Sequence, residues 1–290
     1  MGEIVGAAIF GHQPGIMAPE PLRKAMGRGV DTTLVEPGMK NLRAALDAVR
    51  ADTFVIFDTH WFTTIEHVIA GAPRFQGIYT SDELPTLISD YKYDYAGAPA
   101  LAEAVAAAAK ERGVRLLNAT NPHIAQHYPT LNLLHYLHRG ESVLSVGTCQ
   151  TAEVHNYLEL GAAIAGAVGR TPGARVALFG SGGMSHTFWP MDVILEHGSF
   201  RTDDLISPEA RDIDLRILEL WREGRHDAVI DLYPEYRRFH PEGFFAHYLT
   251  LVGALGGRGC KAPGRRLSEY ENAVGTGQVH VWFDLAGGAA

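Results

Sequence analysis

The stretch TFVIFDTHW, residues 53–61, decides how the chain folds. Phe54, Val55, Ile56 and Phe57 are consecutive and apolar, so the run has no polar face. That is the pattern of a buried strand. The run then ends in Asp58, Thr59 and His60. Open α/β sheets bind ligands outside the carboxyl ends of their strands. A histidine delivered there is placed for chemistry as well as for packing.

Outward from this strand, extended and helical patterns alternate. Strand-like runs cover residues 3–10, 114–119, 142–148 and 175–183, and residues 277–285 alternate like a half-exposed strand. Helical spacing marks 36–51, 98–113, 128–140, 157–170 and 207–225. Pro99 falls in a first turn with Gly113 as a stop, and Ser207 is a natural cap with Pro208 behind it. This alternation predicts an α/β protein. No linker rich in Pro, Gly or Ser divides the chain, so we expect a single domain over 1–290, a central mixed sheet covered by helices on both faces.

With 290 residues, 46% of them hydrophobic, the chain can bury a large core. A net charge of −8 with scattered basic residues disfavours a general binder of nucleic acid or anionic membranes. The two cysteines, Cys149 and Cys260, form no CxxC and no disulfide framework, which suits a cytoplasmic protein. The stretch MGEIVGAAIFGHQPG lacks the basic start of a signal peptide, and no run of 18 apolar residues predicts a membrane span. The 14 histidines invite a search for metal ligands.

Three of them follow strands: His12 in GHQPG, His60 in FDTHWF and His186 in GSGGMSH. Taken singly, His12 reads more simply as a loop histidine on a backbone carbonyl. His60 reads equally well as a core histidine or as a ligand whose other N–H is held by Asp58 or Asp52. The glycines before His186 lack the lysine of a phosphate loop, and GMSH is no nucleophile elbow. A histidine at such an exit suits proton transfer. Glu242, between Pro241 and Gly243, reads alone as a helix-start glutamate. His123 and His127 make an HxxxH, but Pro122 and Pro129 disfavour a regular helix there and HExxH is missing.

Together and in order, GHQPG, FDTHWF, GSGGMSH and PEGFFAH resemble the type II (class III, protocatechuate 4,5-dioxygenase-like) extradiol ring-cleavage dioxygenases. The 3,4-dihydroxyphenylacetate 2,3-dioxygenase branch is the nearest fit, supported by GIYTSDELP (77–85), LYPEY (232–236) and GTGQVHVWF (275–283). The resemblance implies Fe(II) held by His12, His60 and Glu242, a facial triad that leaves places for a catechol and O₂. It implies His186 as the acid/base residue, and a second active-site group at either His127 or Tyr128. The implied reaction opens the ring of a substituted catechol, best fitted by 3,4-dihydroxyphenylacetate, to a semialdehyde. A 2-aminophenol substrate is the alternative, and a zinc hydrolase using the same His₂Glu set or a metal-free subunit are rivals. The partners implied are a small aromatic substrate, O₂ and further copies of the chain in a homo-oligomer.

Overall fold

The structure is a computed structural model that describes residues 1–285. Its strands are β1 (Glu3–Phe10), β2 (Thr53–Thr63), β3 (His67–Ala70), β4 (Arg74–Tyr79), β5 (Tyr91–Ala96), β6 (Leu116–Ala119), β7 (Ser142–Cys149), β8 (Arg175–Ser181), β9 (Gly264–Arg266), β10 (Glu271–Ala273), β11 (Thr276–Gln278) and β12 (His280–Phe283). The helices are α1 (Glu20–Met26), α2 (Lys40–Val49), α3 (Pro99–Glu111), α4 (Tyr128–Leu137), α5 (Val154–Arg170), α6 (Pro208–Arg222), α7 (His226–Tyr236) and α8 (Ala246–Ala254).

Eight strands form one sheet in the order β6-β3-β7-β2-β8-β1-β12-β9. Its centre, β7-β2-β8-β1, is parallel, while β3 and β12 run against it, so the sheet is mixed as the alternation predicted. Successive side chains point to opposite faces. Ala7, Ile9, Val55, Phe57 and Leu178 pack under α3, α5, α6 and α8. Ala8, Phe10, Phe54, Ile56 and Phe179 pack under α2 and α4. Both faces are therefore covered, and each fully buried large apolar side chain contributes roughly 1.5–3 kcal/mol relative to exposure. Local signals set the helix starts: the Ser207 hydroxyl accepts from the Ala210 N–H at 3.1 Å, and Glu153 and Asn156 form a capping box on α5.

Two expectations are corrected. The terminal stretch 277–285 is not one strand: β11 pairs with β10 in a separate ribbon, and after Val279 the chain enters the main sheet as β12. The helix expected over 207–225 stops at Arg222, because Gly224 turns at φ +66° and α7 starts anew at His226. The hairpin β4-β5 was not marked in the sequence, since its six-residue strands are half exposed and polar.

Candidate metal centre

The four parallel strands all end at one edge of the sheet, which gathers the motifs. His12 lies two residues past β1 and is 1% exposed. His60 sits within β2, where pairing with β7 jumps from Asp58–Gly147 to Phe62–Thr148. Thr59, His60 and Trp61 thereby bulge out of the ladder, a device that re-aims side chains beside active sites. Gly147 makes room for it: a Cβ there would come within 2.9 Å of the Trp61 carbonyl and 3.0 Å of its ring. Glu242 opens the turn Glu242–Phe245 that leads into α8, and its N–H donates to the Met184 carbonyl at 3.1 Å.

One ligand atom from each of His12, His60 and Glu242 lies within 4.8 Å of the others. His12 Nε2 is 2.8 Å and His60 Nε2 is 3.1 Å from Glu242 Oε1. The Thr59 hydroxyl donates to the same oxygen at 2.8 Å, and the Gly183 N–H donates to Oε2. The Ser181 hydroxyl donates to the Pro129 carbonyl at 3.0 Å, so it accepts from His12 Nδ1 at 3.1 Å. His12 Nε2 is thereby turned toward the carboxylate. The Tyr128 hydroxyl stands 2.8 Å from His60 Nε2. Two imidazole nitrogens and a carboxylate oxygen converging in this way fit a divalent cation of the kind held by His₂-carboxylate sites.

Burial raises the Glu242 pKa, but His12 and His186 nearby, and hydrogen bonds from His12 and His60, outweigh it and hold the group well below the usual range. Burial lowers His60, yet its hydrogen bond to Glu242 and that carboxylate's charge carry it above the ordinary value. His186 is lowered by burial, and its Nε2 lies 3.9 Å from Glu242 Oε2. Tyr128 is raised by burial and by the charge of Glu242, so its phenol stays protonated.

Of the two candidates at the QHYPT motif, Tyr128 points into the cluster, whereas His127 stacks on Trp61 at 6.4 Å between ring centroids. His123 is exposed and lies outside the cluster. The carboxylates suggested for the second nitrogen of His60 act elsewhere. Asp58 accepts from the backbone N–H groups of His60 and Trp61 and from the Thr130 hydroxyl, which stabilises the bulge. Asp52 bonds Thr53 and the Arg175 N–H. Instead, Glu83 Oε2 lies 3.6 Å from His60 Nδ1. No spacing rule marks Glu83, Ser181 or Thr59. Ser181 and Thr59 carry one weak signal, a hydroxyl at or beyond the end of a buried run.

The cluster opens into a cavity of about 560 Å³ whose lining includes His12, Gln13, Tyr128, His186, Glu242 and Gln278. Gln13 Nε2 and Gln278 Oε1 are buried there with no hydrogen-bond partner among the described residues.

Such a sheet edge, bearing a His₂-carboxylate cluster beside a cavity and a buried histidine, defines a candidate metal-dependent enzyme. The chain matches the family of the catalytic LigB subunit of aromatic ring-opening dioxygenases over residues 6–284, and it belongs to that family. It is an extradiol ring-cleaving dioxygenase. It is 30% identical over 260 residues to 3,4-dihydroxyphenylacetate 2,3-dioxygenase of Escherichia coli, covering 88% of this chain and 91% of that one. It is 24% identical over 306 aligned positions to the 2-aminophenol 1,6-dioxygenase beta subunit of a Pseudomonas species, covering 98% and 95%. The crystal structure of an uncharacterized Escherichia coli K12 protein shares the fold, with a TM-score of 0.59 at 15% identity over 96% of this chain and 99% of that one.

Proposed function

We propose that this protein is one catalytic domain over 1–290 that opens the ring of a substituted catechol with O₂, using Fe(II) held by His12, His60 and Glu242. The observation that carries the assignment is the convergence of those three side chains within 4.8 Å, with His12 and Glu242 lining the cavity. A ferrous ion bound there would acidify the diol and relay electrons from it to O₂, the diol being the net reductant. 3,4-Dihydroxyphenylacetate is the first substrate to test, because the Escherichia coli relative is named for it. A 2-aminophenol is the second, on the strength of the Pseudomonas relatives, named as beta and alpha subunits of one enzyme.

The chain's own residues do the proton work. Burial keeps His186 neutral, so its Nε2 starts as a proton acceptor for a diol hydroxyl and returns that proton to the leaving oxygen. Tyr128, held protonated, stands at the His60 side of the site with its hydroxyl placed to donate to a bound diol. Apolar cavity walls exclude water from the reacting groups. No helix of the described residues is long and apolar enough to cross a membrane, and we place the enzyme in the cytoplasm as a homo-oligomer.

The test is oxygen uptake and formation of a yellow ring-opened product from a panel of catechols as Fe(II) is varied. His186→Phe retains iron and catechol binding but loses turnover by roughly 10²–10⁴-fold. Glu242→Ala loses iron. Full turnover by either variant would overturn its assignment, and product release without oxygen consumption would favour a zinc hydrolase instead.

A further inference from the structure

Taking the proposed ring cleavage as given, we propose that the substrate carries a bulky, uncharged, apolar substituent, larger than the acetate arm of 3,4-dihydroxyphenylacetate. A dry protein cavity of roughly 150 Å³ already accepts a benzene ring. The cavity here measures about 560 Å³, so one catechol ring fills about a quarter to a third of it.

The chemistry of the remaining space is apolar. Met26, Leu84, Phe188, Ile194, Leu195 and Phe200 line it, and Phe188 and Leu195 stay 47% and 88% exposed at its rim. Of the polar lining groups, His12, Tyr128, His186 and Glu242 belong to the metal cluster, Ser199, Asn272 and Thr276 are bonded within the protein, and Gln13 adjoins His12 in sequence with its Nε2 unpartnered among the described residues. Gln278 stands against Gly183, whose N–H holds Glu242, and so belongs to that end too.

Charge points the same way. Arg28 is the only arginine or lysine lining the cavity among the described residues; it is exposed, and one of its N–H groups donates to the Glu196 carbonyl, away from the metal cluster. Glu83, the acid beside His60, also lines the cavity. A carboxylate on a short arm would lose hydration without a dedicated cation, and such burial is costly.

The space is held open by its frame. Behind the wall at 188–200, Trp189 stacks on His197 at 3.7 Å between centroids and 11° between planes. Trp189 Nε1 donates to the Asp204 carbonyl at 2.7 Å, and Asn272 Nδ2 donates to the His197 carbonyl at 3.0 Å. Gly27 abuts Phe200 at the end of the same wall, where a Cβ would come within 2.6 Å of the ring.

Two measurements on the Fe(II)-loaded enzyme test this. Under nitrogen, calorimetric titration should give 4-phenylcatechol a Kd at least tenfold below that of 3,4-dihydroxyphenylacetate. Under air, oxygen uptake should give 4-phenylcatechol a kcat/KM at least tenfold higher. Ile194→Trp and Met26→Trp, which each narrow the cavity, should each cut both ratios at least tenfold. Equal or better binding and turnover of 3,4-dihydroxyphenylacetate would overturn the inference, as would ratios unmoved in both tryptophan variants. Tighter binding of 4-phenylcatechol with no oxygen uptake from any diol would support the cavity's preference and overturn the proposed reaction instead.

Discussion

Asp214, wholly buried in α6, accepts from both the backbone N–H of Ser185, at 3.1 Å, and the Ser185 hydroxyl, at 2.7 Å, one residue before His186. The Tyr236 hydroxyl donates to it at 2.8 Å and the Tyr270 hydroxyl at 2.5 Å. The loop bearing His186 is thus clamped from beneath. Its neighbour Met184 accepts the N–H of Glu242, so one clamp steadies two functional groups. Asp214→Ala leaves four buried donors without their acceptor, and a lost partner costs about 1–3 kcal/mol each. We expect a large loss of stability by urea unfolding. The milder Tyr270→Phe should fold, keep its metal and lose turnover. Full activity in both folded variants would refute the clamp.

Ser181 fixes the tautomer of His12 by accepting its Nδ1 hydrogen. Removing a partner of this kind typically weakens metal affinity 10–100-fold. Ser181→Ala should therefore show such a loss in Fe(II) titration against a competing chelator. Affinity equal to that of the parent would show that His12 needs no such support.

Tyr128→Phe and His127→Ala separate the two residues at the start of α4. Tyr128 faces His60, so its hydroxyl should matter for turnover by at least tenfold. His127 lies against Trp61, and its loss should cost little. A larger loss of kcat in His127→Ala than in Tyr128→Phe would reverse the assignment.

His67 is 4% exposed, its Nδ1 has no hydrogen-bond partner among the described residues, and burial lowers its pKa to about 4. His280 is buried too, its pKa lowered to about 3 by burial. Both folded values lie below the unfolded value of about 6.5, so the unfolded chain binds more protons in the interval. The stability they contribute is full above about pH 6.5 and is lost as pH falls toward their folded values. The loss is about 3 kcal/mol for His67, at 1.36 kcal/mol per unit. Unfolding free energy measured from pH 7 to 4.5 should fall less steeply in His67→Leu. An unchanged slope would exclude His67 as a source.

His12, His60 and Glu242 were legible as a set only through the ordered motifs that resemble the family; singly, His12 read as a loop histidine and Glu242 as a helix-start glutamate, because a ligand set joins segments far apart in the chain. Tyr128 was not separable from His127, since adjacent residues at a helix start differ only in the direction each ring takes. Asp214 carried no signal, because in α6 it reads as a charged residue among other polar positions. Only Ser185, Tyr236 and Tyr270, 29 residues before it and 22 and 56 after it, make its burial tolerable.

By itself the sequence determined the α/β architecture, since apolar runs and helical spacing are local properties that must bury against one another. It also determined which residue types were available at the strand ends. Tertiary structure alone decided which of those side chains meet, which nitrogen each imidazole turns inward, and how much room lies beside them. Those are distances between segments far apart in the chain, set by strand order, by the bulge in β2 and by the packing of loops, and no short-range pattern encodes them.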